Sequence, residues 1–321
     1  MNVRRLLPTT VAAGAAALGL MAVSACSSAG ADDSAGGDKL KVVTSFYPMQ
    51  YLAEQIGGGH VSVSTLTPPG VEPHDLELKP RQTAELNEAG YILYLKGIQP
   101  AVDEAIDQSE AKNKVDAATL TKLEHHGTEG GHSHEGEEEH AHEGESEAGA
   151  DPHIWLDPVK YAEVAKGVGA SLEKADPDHA ADYKKNTEAL VKKLDGLNAK
   201  FRTGLQNTAT KTFITTHAAF GYLAERYGLD QEGIAGIDPE SEPSPARIKE
   251  LQTIAKADKV STVFFETLAS DKTAKTLAAD AGLKTDVLDP LEGITDKSKG
   301  DDYLQVMESN LAGLQKALGA K

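Results

Sequence analysis

"TSFYPMQYLAEQIG", residues 44–57, and "TTHAAFGYLAERYG", residues 215–228, superpose without a gap. Thr44 falls on Thr215, the whole "YLAE" of residues 51–54 on residues 222–225, and Gly57 on Gly228. A four-residue identity carries little alone, but the order of elements around it repeats as well. The apolar run "KVVTSF" leads into the first copy and "KTFITTH" into the second; further on, "YILYLKG" is echoed by "TVFFETL", each with a helical segment after it. Such self-similarity predicts two lobes of like βα topology.

Within the first lobe the periodicity gives a strand at "KVVTSF" and a helix through "PMQYLAEQIGG", ended by Gly. A strand at "HVSVSTL" runs into the Pro/Gly turn "TPPGVEPHDLELKP". Then come a helix at "PRQTAELNEAG", a strand at "YILYL" and a helix at "IQPAVDEAIDQ". Alternation of this kind predicts an α/β fold, each lobe a small, mostly parallel sheet flanked by helices. Between the lobes, residues 176–205 place Tyr183, Leu190, Leu194, Leu197, Phe201 and Leu205 at helical spacing. Asp176 as N-cap and Pro177 at the first helical position predict one long helix there. At 1.5 Å per residue it would be a rod of roughly 45 Å. A stiff connector of that length implies small lobe movements on ligand binding.

The ends and the charge set limits. Arg4 and Arg5 precede an apolar run from Leu6 to Val23, and "VSAC" follows. The run is short and rich in Gly and Ala for a membrane span. The pattern resembles a bacterial lipoprotein signal, in which Cys26 becomes the lipid-modified first residue. The expected organisation is therefore a signal at 1–25, a flexible tether at 26–38, an N-terminal lobe at 39–175, a linking helix at 176–206 and a C-terminal lobe at 207–321. It would place the protein outside the cytoplasm, lipid-anchored to the outer face of the cell membrane through Cys26. As Cys26 is the only cysteine, an internal disulfide and a thiolate metal site are both excluded. With 50 acidic against 32 basic side chains the net charge is −18, which repels phosphate backbones and argues against nucleic acid as a partner.

The histidines divide by context. His125, His126, His132, His134, His140 and His142 lie among Gly and Glu in the segment 124–150, with no apolar pattern to hold them. Neutral imidazoles and carboxylates so arranged are expected to bind metal weakly, as accessory sites; "HSHEGEEEHAH" repeats His at two-residue steps, which solubility alone would not require. His60 follows three glycines and His179 begins the polar face of the long helix. His74, His153 and His217 differ. Each sits after a strand or in a constrained loop, where ligands of open α/β sheets gather.

Several phrases together carry a resemblance: "GVEPHDLELKP", "DPHIWLDP", "THAAFGYLAERYGL", "GIDPESEPSPARIKEL", "VFFETLASDKTAKTLA" and "VLDPLEG". They resemble, in order and spacing from about Lys39 onward, the zinc-binding lipoproteins that feed metal-ion ABC importers. That resemblance implies two lobes joined by a long helix, one metal ion in the cleft, and a His/acid-rich loop where residues 124–145 stand. It implies His74 and His153 as N-lobe ligands and His217 as the first C-lobe ligand. The fourth would be Glu292 of "PLE", with Asp289, Glu72 or a water as alternatives. The ABC permease subunits would be the partners of a monomer.

Three imidazoles and a carboxylate suit tetrahedral Zn²⁺ better than Mn²⁺, which prefers more oxygen. Manganese-binding relatives carry Glu in place of the third His, where this chain has His217. Manganese or another divalent ion, or a surface metal-scavenging adhesin, are the alternative readings. A zinc hydrolase would need a general base and often shows HExxH, which does not occur here. A non-enzyme is expected.

Overall fold

The computed structural model describes residues 39–126 and 149–321. The signal segment, Cys26 with its tether, and His132, His134, His140 and His142 lie outside the described residues. Among those described, no helix is long and apolar enough to cross a membrane.

The first lobe runs β1 (Leu40–Thr44), α1 (Tyr47–Gly57), β2 (Val61–Thr65), α2 (Pro80–Glu88), β3 (Tyr91–Tyr94), α3 (Pro100–Gln108) and β4 (Lys114–Asp116). Two helices follow, α4 (Pro158–Ala175) and α5 (Ala180–Leu205). The second lobe continues with β5 (Thr212–Thr215), α6 (Gly221–Tyr227), β6 (Asp230–Gly233), α7 (Pro245–Ala257), β7 (Thr262–Phe265), α8 (Lys272–Ala281), β8 (Lys284–Val287) and α9 (Tyr303–Leu318). The sheets have orders β2-β1-β3-β4 and β6-β5-β7-β8, and every pairing is parallel. The two orders are identical in kind. Thr44 and Thr215, matched in the sequence repeat, each end an inner strand, β1 and β5, at the same place in their sheets.

Both faces of each sheet are buried, as a parallel sheet requires. Along β1, Val42 faces a core shared by the two lobes and Val43 an outer cluster with Leu66, Leu86 and Ile106. Along β5, Phe213 joins the same shared core, whereas Ile214 faces Leu251, Val263 and Leu277. The shared core continues through Trp155, Tyr161, Phe201, Tyr303 and Leu314, so apolar packing runs unbroken from one lobe into the other. Hydrogen bonds cross it: Tyr303 Oη donates to Trp155 O at 2.6 Å, and Trp155 Nε1 to Pro290 O at 2.7 Å.

The linking helix is shorter than the sequence predicts. Residues 177–179 form a single 3-10 turn, and α5 then runs for 26 residues. At 1.5 Å per residue that is about 39 Å. Asp176 does not cap it. Its Oδ2 instead accepts from His179 Nδ1 at 2.8 Å and Tyr183 Oη at 2.6 Å, so the carboxylate is spent on side chains and the first turn tightens. The expected apolar stripe is buried from Tyr183 to Leu205, against α1, α4 and α9.

Helix α4 is an element the sequence reading does not assign. Its buried face carries Tyr161, Val164, Ala165, Val168 and Leu172 at helical spacing, with Lys160 and Gly169 buried beside them. Gly169 lies against α5: a Cβ there would lie 2.2 Å from Thr187 Oγ1. Asp157 caps α4, accepting from Val159 N at 2.9 Å, and its other oxygen takes Arg226 from the second lobe.

Candidate metal centre

Four loops bring four side chains to one point between the lobes. His74 follows β2, His217 follows β5, Glu292 follows β8, and His153 immediately precedes a 3-10 turn at Ile154–Leu156. His153, His217 and Glu292 are buried, and His74 closes the outer side. The Nε2 atoms of His74, His153 and His217 lie 3.3, 3.4 and 3.4 Å from a single atom, Glu292 Oε1. A regular tetrahedron with metal–ligand arms of about 2.05 Å has edges of about 3.3 Å. The three distances that meet at Glu292 Oε1 match the edges of such a tetrahedron, and all four ligand atoms lie within 4.8 Å of one another. Consistent with that, His153 Nε2, His217 Nε2 and Glu292 Oε2 are buried without any hydrogen-bond partner, which is costly unless a cation completes them.

The tautomers are set from behind. His153 Nδ1 donates to Asp151 Oδ1 at 2.8 Å, and that oxygen also accepts from His153 N at 2.9 Å. His217 Nδ1 donates to Glu266 Oε1 at 2.9 Å, and Thr216 Oγ1 donates to the same oxygen. With its proton held on Nδ1, each ring turns a lone pair on Nε2 toward the centre, the usual role of a carboxylate behind a ligating histidine. Neither Asp151 nor Glu266 is anticipated by the sequence reading. Both had a signal: an acid two residues before His153, and an acid closing the apolar strand "TVFF".

Glu292 is aimed by a tight turn. Leu291 has φ 60°, a left-handed conformation costly for a side chain with a Cβ. Asp289 stabilises it: Oδ1 accepts from Leu291 N at 2.8 Å and Oδ2 from Thr267 Oγ1 at 3.2 Å. Asn310 brackets the same residue through two backbone bonds, and Trp155 holds Pro290. Asp289 therefore shapes the loop and is not among the four converging residues. Glu72 is not among them either. It lies over the site with Oε1 buried and unpartnered, and burial together with the nearby Glu292 carboxylate pushes it up to about 8.

Burial alone would favour a neutral Glu292, but the imidazoles of His153, His217 and His74, each 3.3–3.4 Å from its Oε1, hold it well below the ordinary carboxylate value. The imidazoles move the opposite way. Burial opposes charge on His217, yet Glu266 and Glu292 carry it well above the usual histidine value, and Asp151 and Glu292 raise His153 likewise.

His125 and His126 stand apart from this centre. His125 Nδ1 meets Gly149 O at 3.1 Å. His126 is fixed, contrary to the expectation that nothing holds it: its ring nitrogens lie 2.9 Å from Asp151 Oδ2 and 3.0 Å from Glu225 Oε2.

The family model for ZnuA, the periplasmic component A of the zinc-uptake complex, matches residues 42–317. The high-affinity zinc uptake system protein ZnuA of Bacillus subtilis is 39% identical over 307 residues, 93% of this chain and 94% of that one. The chain spans only about half, 55%, of the zinc-binding lipoprotein AdcA of Streptococcus pneumoniae, at 36% identity. The Zn(II)-bound structure of AdcA superposes with a TM-score of 0.71 at 34% identity, covering 87% of this chain and 58% of that one. The laminin-binding protein Lmb of Streptococcus agalactiae, described as having adhesin and metal-transporting activity, superposes with a TM-score of 0.75 at 30% identity over 87% of this chain and 99% of that one.

Proposed function

Because the chain belongs to the ZnuA family of zinc-uptake components, we propose that it captures Zn²⁺ outside the cytoplasm and delivers it to a membrane ABC permease. The observation that carries the reading is the convergence of three Nε2 atoms on Glu292 Oε1 at 3.3–3.4 Å. His74, His153, His217 and Glu292 are the ligands in this proposal, with Zn²⁺ as cargo. Two come from each lobe, so a single ion bridges them. Four protein donors close a tetrahedral sphere and leave no open position of the kind catalytic zinc needs, so the chain acts as a carrier and not a hydrolase. The lipid anchor at Cys26 and a monomeric state complete the proposal, resting on the N-terminal sequence and on the names of the lipoprotein relatives.

The test is zinc-loaded crystals measured on both sides of the zinc absorption edge, with uptake assays in cells. An anomalous peak between the four residues, and loss of high-affinity binding in His217→Ala without unfolding, are the expected results. A peak elsewhere, or unchanged affinity in that variant, refutes the ligand set. Loss of the permease should abolish zinc uptake through this protein; a surface scavenger or adhesin, the role the likeness to Lmb suggests, would be indifferent to it.

A further inference from the structure

Asp151 is buried and uses both carboxylate oxygens as acceptors: Oδ1 for His153 Nδ1 and Oδ2 for His126 Nδ1, at 2.8 and 2.9 Å. The ring of His126 is therefore oriented as that of His153 is, with Nδ1 on the buried side and Nε2 turned outward. What Nε2 faces is again carboxylate. Glu225 Oε2 lies 3.0 Å away, and ligand atoms of Glu124, His126 and Glu225 all fall within 4.8 Å of one another.

The surroundings fix this group in place. Asp151 N donates to Glu124 O at 2.8 Å, and Glu124 N donates to Tyr222 Oη at 2.8 Å. Tyr222 in turn donates to Asp151 O at 2.7 Å, and its ring meets the His126 imidazole edge-on at 4.5 Å. Gly221 leaves room for the imidazole: a Cβ there would lie 2.4 Å from His126 Cγ and 2.9 Å from Asp151 Oδ2. Lys160 Nζ, 3.3 Å from Glu124 Oε1, offsets part of the negative charge.

We propose that Glu124, His126 and Glu225 form a second divalent-cation site, facing solvent at the edge of the lobe contact and sharing Asp151 with the buried centre. It takes one imidazole nitrogen and two carboxylate oxygens, with water completing the sphere, a set suited to Zn²⁺ and open to other divalent ions. Fewer nitrogens, greater exposure and the competing Lys160 make it the weaker of the two. Glu124 and His126 precede α4 and Glu225 lies on α6, so a cation there also joins the two lobes.

The choice of Zn²⁺ as probe rests on the proposed function, and the experiment keeps the two ideas separable. Zinc per chain is measured by equilibrium dialysis on full chains in which His132, His134, His140 and His142 are all replaced by Ala. Two ions are expected, one tight and one weaker. Adding Glu225→Gln should weaken the second by about tenfold or more and leave the tight ion unchanged. Adding His217→Ala instead should remove the tight ion and keep the weaker one. One ion in the four-Ala chain, or a second ion indifferent to Glu225→Gln, overturns this site without touching the buried one; loss of the tight ion alone from the four-Ala chain would overturn the buried assignment. Charge pairing alone, with His126 a simple imidazolium between Asp151 and Glu225, predicts the one-ion result.

Discussion

Glu266 Oε1 lies 2.9 Å from His217 Nδ1, on the side of the ring opposite Glu292, with both residues buried. It can act on a bound ion only through the imidazole. Glu266→Ala should leave the fold intact and reduce zinc affinity about tenfold to a hundredfold, the usual cost of losing the carboxylate behind a ligating histidine. Competition with a chromophoric chelator reads this directly; affinity equal to wild type would show that packing alone orients His217.

Proton release follows from the raised imidazoles. With His153 and His217 held above the ordinary value of 6.5, zinc must displace protons near neutrality. Affinity should therefore fall with pH, beginning above 6.5. Calorimetry in two buffers of different ionisation heat should count at least one proton released per ion at pH 7, and zero would contradict the assigned charge states.

The same shifts fix how the metal-free protein responds to pH. A histidine raised in the folded state stabilises fully below 6.5 and loses that contribution as pH rises through its folded pKa. A carboxylate lowered in the folded state stabilises above 4.5 and loses its contribution as pH falls. For this cluster, stability without metal should peak between those values and decline on the alkaline side. Zinc should reverse the decline: at a hundred times the dissociation constant it adds about 2.7 kcal/mol, roughly 5–10 °C in Tm for a domain of this size. Thermal melts with zinc and with chelator, from pH 5 to 8, test both statements.

Gly169→Ala probes the contact between α4 and α5. The new methyl would meet Thr187 Oγ1, whose hydroxyl donates to Tyr183 O at 2.8 Å. Overpacking costs about 1–3 kcal/mol, of which the helix preference of Ala over Gly recovers up to about 1 kcal/mol. The variant should melt several degrees lower, and Thr187→Ala in the same chain should restore part of the loss. A single variant as stable as wild type would mean the helices can part freely at this point.

Much of the architecture was legible because it repeats. The match of residues 51–54 with 222–225 located the two α/β units, and Thr44 and Thr215 close equivalent strands. The three histidines stood out as sitting near strand ends. Strand β6, which reads "DQEG", carries no apolar alternation and stayed hidden; α4, whose Tyr161, Val164, Val168 and Leu172 do recur at helical spacing, was legible but not assigned. The role of Glu266 and the fixed position of His126 were hidden for another reason. Glu266 and His126 take their roles from hydrogen bonds across the fold, such as the 2.9 Å link from His217 to a residue 49 positions on, whereas Asp151 sits only two residues from His153 and was legible only as a nearby acid.

The apolar core shared by the lobes constrains how cargo can leave. Swinging the halves apart would expose Phe46, Trp155, Tyr161, Tyr303 and their neighbours to water, at about 25 cal/mol for every Å² uncovered. Loaded and empty molecules should then have nearly the same radius of gyration in solution scattering, and a change of several ångströms would refute this. On the proposed function, release of the ion then falls to local changes at the four loops that meet at the site, while the body of the molecule keeps its shape.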